Sequence, residues 1–520
     1  MSSQVLTQHQ SERPSLPELP RLRGLLRIGA PDRLPACAVV LALLLAHGVV
    51  LPARYGFLDD YTLLYGAKTD PSTVTDHILG GGRPLFALGY RLVFPLVDDI
   101  AGLRLIRALT LVLTCVVALV VVKLLRSVGT PPWTAASTSA LLFVLPSAQV
   151  SVAWATMFIV PVAMLLGLCA SVALQREVLR SGRLRPRGLA LPAVLLSLAV
   201  TSYQPGAMAF WLGLAVLVFG QDAVRQDLSV LRRLWAANVA VFSVALVLGF
   251  VVLKLGVAYQ GVSGARAGTV TDVAGKIGWF FTEALPRPLD PWSLTPRLEV
   301  VAAVTVLLVV GLGVLRARSV ALRVLTFVMA GALTVLSYVP NLLVAENWAS
   351  TRTMVALMPM VALLTTFAAR SVLRSASLAV PAMFVRLVEP ALLGLAALAF
   401  TGHASQQLQA YFVQPQQAEL AAAEQAVDRQ PASGELVVVR SDWFDTVAPF
   451  PYYDEYGIPS SCQEDPAVGM TQLLHEEETG RFRAVRFVER TDVTSGPQVS
   501  AVLDYADVLD GIVSTGPSFN

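Results

Sequence analysis

Apolar and polar positions alternate along this chain in long blocks, with no period of two or seven. Apolar stretches of roughly 17 to 25 residues are separated by short, arginine-marked loops, and only an internally hydrogen-bonded helix of that length satisfies its backbone in hydrocarbon. The pattern predicts about eleven transmembrane helices, near 35–53, 100–124, 133–149, 152–174, 188–204, 205–221, 235–257, 298–316, 322–343, 353–369 and 378–402. The first 35 residues are polar and proline-containing, as in a disordered tail. Beyond residue 403 the pattern changes. Gln406 to Asp428 reads as a helix, and 435–440, 483–488 and 499–504 read as short strands of a small α/β domain. The fold class expected is an α-helical polytopic membrane protein with domains 1–35, 36–402 and 403–520.

Composition supports that class. The chain has 520 residues, 55% hydrophobic and only 14% charged, too apolar for an ordinary soluble protein. A net charge of +3 gives no case for nucleic acid as a partner. The arginines give orientation by the positive-inside rule. The loop with Arg176, Arg180, Arg183, Arg185 and Arg187 falls on the same side as Arg225, Arg232 and Arg233, then Arg316, Arg318 and Arg323, then Arg370 and Arg374. The N-terminal Arg21, Arg23, Arg27 and Arg33 agree. The N-terminus is therefore expected inside, and loops 54–99 and 258–297 and the segment 403–520 outside. A cleaved signal peptide over 21–53 is the weaker reading, given a long basic region and a poor cleavage pattern.

The residues with chemical potential gather on the outer side. Asp59 and Asp60 follow the first apolar run, and ionised groups beside a lipid-embedded helix need a reason. They are candidates for a general base or a cation site, against the plainer reading of a helix cap at Asp60 and a solvated Asp59. In the same loop, Gly80-Gly81-Gly82-Arg83-Pro84 lacks nucleotide-loop spacing. Its glycines suit either a close backbone approach to phosphate beside a forked Arg83 donor or a plain turn before an interfacial helix over 85–97. Tyr203 and Gln204 break two apolar segments at the outer boundary, where a tyrosine commonly anchors to headgroups. Glu346 and Arg352 flank another outer turn, and Arg352 suits a phosphate of lipid or of substrate. Lys276 lies beside Trp279-Phe280-Phe281, as in a membrane-surface segment. Arg104 and Arg107 add positive charge at one outer end, Arg386 and Glu389 read as a local ion pair, and His47 as structural. No HExxH, GxSxG or clustered His and Cys occurs.

Taken together, Asp59-Asp60 after the first span, Gly82-Arg83-Pro84 some twenty residues later, the Tyr203-Gln204 step and Arg352 resemble the bacterial GtrII-like glucosyltransferases. More broadly they resemble the GT-C superfamily of polytopic glycosyltransferases. The resemblance covers approximately 36–402. It implies inverting transfer of a sugar from a polyprenyl-phosphate donor to a glycan or lipid acceptor, on the outer face of a bacterial cytoplasmic membrane. Asp59 or Asp60 would be the base; Arg83, Arg352 and Lys276 would meet phosphate; Tyr203, Gln204 and Glu346 would belong to the substrate site. The arginine that follows the acidic pair in many relatives is missing here, leaving donor phosphate to Arg83 or Arg352. The sequence singles out no cofactor, and the two carboxylates leave room for a divalent cation. The rival readings are a transporter or flippase for lipid-linked saccharides, which should carry charge along its spans, and a non-enzymatic envelope scaffold.

Overall fold

A computed structural model describes residues 19–20, 22–24, 29–181, 186–225, 227–260, 268–293, 295–314, 319–376, 382–430, 435–439, 455–483, 485–488 and 499–505. The expected tail 1–35 lies largely outside them. Among the described residues six helices are long and apolar enough to cross a membrane, or seven if the bent pair Pro132–Phe143 and Pro146–Ala153 forms one crossing. The eleven expected crossings thus divide into two groups. Those at 188–204, 205–221, 298–316 and 322–343 fall on shorter helices, Pro186–Ser202, Gln204–Gly220, Leu298–Gly313 and Val320–Leu336. At ~1.5 Å per residue these reach about 25 Å, short of a ~30 Å hydrocarbon core.

Other helices overshoot. Leu228–Gln260 runs 33 residues, about 50 Å. The last apolar helix does not stop near residue 402 but continues through a π turn at Gln409–Val413 to Asp428. Ala, Gln and Glu favour helix beyond the turn, and the π turn falls just before Pro415, which has no N–H to bond the carbonyl four residues back. The expected straight span 133–149 is instead bent by 63° between its halves. Pro146, first residue of the second half, lacks an N–H and restricts Leu145 before it.

Glu389, expected to pair locally with Arg386, is held across to the preceding apolar helix. Arg370 Nε donates to Glu389 Oε1 at 2.6 Å, and Arg374 Nε stands 3.6 Å from Oε2. The Arg386 side chain lies outside the described residues. Packing of Leu357–Ala376 against Ala382–Leu408 brings those carboxylate and guanidinium groups together.

The C-terminal strands form one parallel sheet in the order β2 (Val485–Val488), β1 (Glu435–Val439), β3 (Val499–Asp504). Helix Glu464–Thr479 crosses between β1 and β2 and packs against Asp59–Thr69. At that contact a Cβ on Gly469 would stand 2.9 Å from the Tyr61 carbonyl oxygen, so only glycine allows the approach. Salt bridges reinforce it: Arg54 with Glu424 and Glu477, and Lys68 with Glu476.

Candidate functional site

The two adjacent aspartates point opposite ways. Asp59 opens helix Asp59–Thr69 and is exposed; Asp60 is fully buried. The Asp60 carboxylate accepts from Phe57 N at 3.1 Å, Ala155 N at 3.2 Å, and Thr156 N and Oγ1, both at 2.7 Å. Asp60 therefore caps a different helix, the 3-10 turn Ala155–Phe158 that leads into Ile159–Ser181, whose N-terminal amides favour negative charge. Burial pushes its carboxyl up to about 6, opposed by the Thr156 donors, the Arg107 charge and the Ala155 amide.

On the other side of the same loop, Arg107 is fully buried rather than contributing surface charge. Its guanidinium donates to the carbonyls of Val50 (3.1 Å), Ala53 (2.6 Å) and Tyr55 (2.9 Å), and sits 4.0 Å from the Tyr55 ring centroid. Five donors in a fixed fork make arginine the residue able to satisfy three carbonyls at once. Arg107 and Asp60 thus clamp residues 50–57 from both ends. Arg104 stays exposed.

Three of the predicted groups form one contact chain. The Arg83 guanidinium lies 5.5 Å from the Tyr203 ring centroid, and the Tyr203 hydroxyl donates to the Arg352 carbonyl at 3.2 Å. The Arg352 guanidinium lies 4.8 Å from each of the Trp154 and Trp348 rings. Trp154 packs edge-on against Phe57 at 4.8 Å, and its chain neighbour Ala155 donates to Asp60. An aspartate turn, two arginines and an aromatic wall are therefore contiguous.

The remaining candidates have more local roles. Lys276 is buried and donates to the Glu346 carbonyl at 2.6 Å and Asn347 Oδ1 at 2.9 Å, over the Trp279 ring at 4.2 Å. Burial lowers its pKa. With Arg287, which donates to the Ala349 carbonyl, it ties down the turn that carries Trp348 and Arg352. Glu346 is exposed on that turn; Gln204 is half-buried at the start of Gln204–Ala207. The glycine run serves packing. Gly82 adopts φ 71°, and a Cβ there would stand 2.9 Å from Leu253 Cα, while one on Gly256 would stand 2.3 Å from the Leu79 oxygen. The long helix Leu228–Gln260 thus lies directly on the turn that leads to Arg83. Among the described residues no three His, Cys, Asp or Glu side chains gather as a metal site would require.

Several contributors carried no sequence signal of their own. Glu455, buried, accepts from Ser350 Oγ, Thr351 N (3.1 Å) and Arg352 N (3.5 Å), and stands 3.6 Å from Arg352 Nε. The Tyr456 hydroxyl donates to Gln149 Oε1 at 2.9 Å, tying the same segment to the bent helix pair. Trp154 and Thr156 sit inside an apolar run where nothing separates them from lipid-facing neighbours. The chain matches no family model and no curated protein.

Proposed function

We propose that the chain is a membrane glycosyltransferase that moves a sugar from a polyprenyl-phosphate donor to an envelope glycan or lipid acceptor. On this reading the four shorter apolar helices also cross, giving eleven crossings of GT-C type in a bacterial cytoplasmic membrane. The N-terminus then lies inside, and the acidic turn and residues 403–520 outside. The observation that supports it best is the contiguity of the Asp59-Asp60 turn with Trp154, Arg352, Tyr203 and Arg83.

Asp59, the exposed carboxylate, takes the proton from an acceptor hydroxyl as its oxygen attacks the anomeric carbon. The bond from that carbon to the phosphate oxygen breaks, and the electron pair leaves on the polyprenyl phosphate. Arg83 and Arg352 stabilise the charge that develops there. Attack opposite the leaving phosphate inverts the anomeric centre. Asp60, held by four donors, fixes the turn and touches no substrate.

The test compares envelope glycans of a deletion strain with those of the same strain carrying wild-type or D59N protein at equal abundance. Loss of one sugar in the deletion strain, its return with wild type and its absence with D59N are expected. Identical glycans in all three overturn the reading.

A further inference from the structure

The turn that presents Asp59 is strained, and it is held from the far end of the chain. Leu58 has φ 44° and ψ −116°, the only non-glycine positive φ among the described residues. With Asp60 N donating to Phe57 O at 3.0 Å, these angles place Leu58 at the first central position of a type II′ turn, where glycine is the favoured residue. A buried leucine there persists only if its surroundings over-determine it.

The restraint is a short chain of hydrogen bonds. Leu58 N donates to Ser460 Oγ at 2.9 Å, and Ser460 Oγ donates to Gln416 Oε1 at 3.1 Å. Glu419 accepts Ser460 N and Ser461 N, both at 2.8 Å, while Gln416 Nε2 reaches the Ile458 carbonyl at 2.6 Å. Ser460, Gln416 and Glu419 are all buried. The hydroxyl thus accepts from the strained residue while its own proton is spent on a rigid helix.

We infer that Ser460 is a positioning residue for Asp59: its hydroxyl, fixed by Gln416 and Glu419, locks Leu58 in its strained conformation and thereby aims the following carboxylate. The inference rests on the transferase reading. It makes the docking of residues 455–479, backed by helix Gln414–Asp428, onto helix Asp59–Thr69 a condition for activity, since Ser460 and Gln416 belong to those pieces.

The experiment follows, after induction in the deletion strain, the rate at which the missing sugar returns per molecule of full-length protein. S460A should be about 10- to 100-fold slower than wild type at equal abundance of folded protein, assayed below its lowered melting midpoint, because a misplacement of about 1 Å costs on that scale. S460T keeps the hydroxyl and should recover most of the rate. L58G/S460A should be faster than S460A, because glycine adopts the turn without restraint. In purified S460A protein, amide exchange should quicken at Leu58 to Asp60 and stay unchanged in Glu464–Thr479.

Wild-type rate in S460A where D59N is inactive overturns the inference alone, as does unchanged exchange at Leu58. So do equally slow S460A and S460T with no recovery in L58G/S460A. Wild-type rate in D59N removes Asp59 as the base and the inference with it, while a deletion strain that lacks no sugar overturns the transferase reading itself.

Discussion

Asp60 and Thr156 are joined twice, through the backbone N–H and the hydroxyl of Thr156, each 2.7 Å from the same carboxylate oxygen. With Phe57 N and Ala155 N the carboxylate is surrounded by donors. D60N would turn an amide NH2 toward them and leave at least one buried donor unmatched, at about 1–3 kcal/mol each. D60N should therefore destabilise by about 2–4 kcal/mol, whereas D59N, at an exposed site, should stay within about 0.5 kcal/mol of wild type. Melting of the two purified variants checks the contrast; equal midpoints refute it.

The pH dependence follows from the same burial. The folded carboxyl of Asp60 titrates at about 6 against 3.8 when unperturbed. Between those values the folded protein keeps a proton that the unfolded chain releases, so this group's contribution to stability falls as pH rises from about 4 to 6 and is constant above. At 1.36 kcal/mol per pKa unit the change is about 3 kcal/mol. D60N lacks this titration, so its deficit against wild type should widen as pH drops from 7 to 4. Parallel melting curves for the two proteins over that range would exclude the assignment.

Much of this architecture was legible because hydrocarbon imposes a length on apolar runs, and because Gly82-Arg83-Pro84 announces the turn and the helix Pro84–Val93 behind it. The three strands emerged at their expected places for a similar reason, being short β-branched runs between turn residues. Two further signals were present but local. Pro146 marks the bend inside a nominal span, and Arg107, seven residues into another, marks a buried ionic anchor. Partners separated by long stretches of chain were not legible. Leu58 with Ser460, and Arg352 with Glu455, depend on how the C-terminal segment lies across the helices, which no local pattern encodes.

Neighbouring glycines should respond differently to alanine. Gly82 combines φ 71° with a Cβ position 2.9 Å from the Leu253 backbone, so G82A forces both a left-handed alanine and a shift of the long helix. A cost of about 2–4 kcal/mol is expected from the backbone and overpacking penalties together. Gly81 has φ −72°, and a Cβ there meets the Ile78 oxygen at 3.3 Å and the His77 oxygen at 3.9 Å. G81A should cost less than about 1 kcal/mol. If the glycine run exists for phosphate rather than packing, both variants would melt like wild type while losing activity.

Glu455 supports Arg352 through the chain as well as through charge. It holds the amides of Thr351 and Arg352, and its Oε1 stands 3.6 Å from the guanidinium that lies between Trp154 and Trp348. Removing it in E455A leaves the Ser350 hydroxyl, those two amides and a largely buried arginine without their carboxylate, a loss of about 3 kcal/mol or more. E455Q keeps one acceptor oxygen and should cost about half as much. If Arg352 meets the leaving phosphate, E455Q should also change the rate of sugar transfer at unchanged abundance, since it removes the charge that competes with phosphate for the guanidinium. Melting and in-cell transfer of E455A, E455Q and R352A check this together. A stable E455A protein would show that the turn 350–352 holds without Glu455, and the carboxylate would then have no part in placing Arg352.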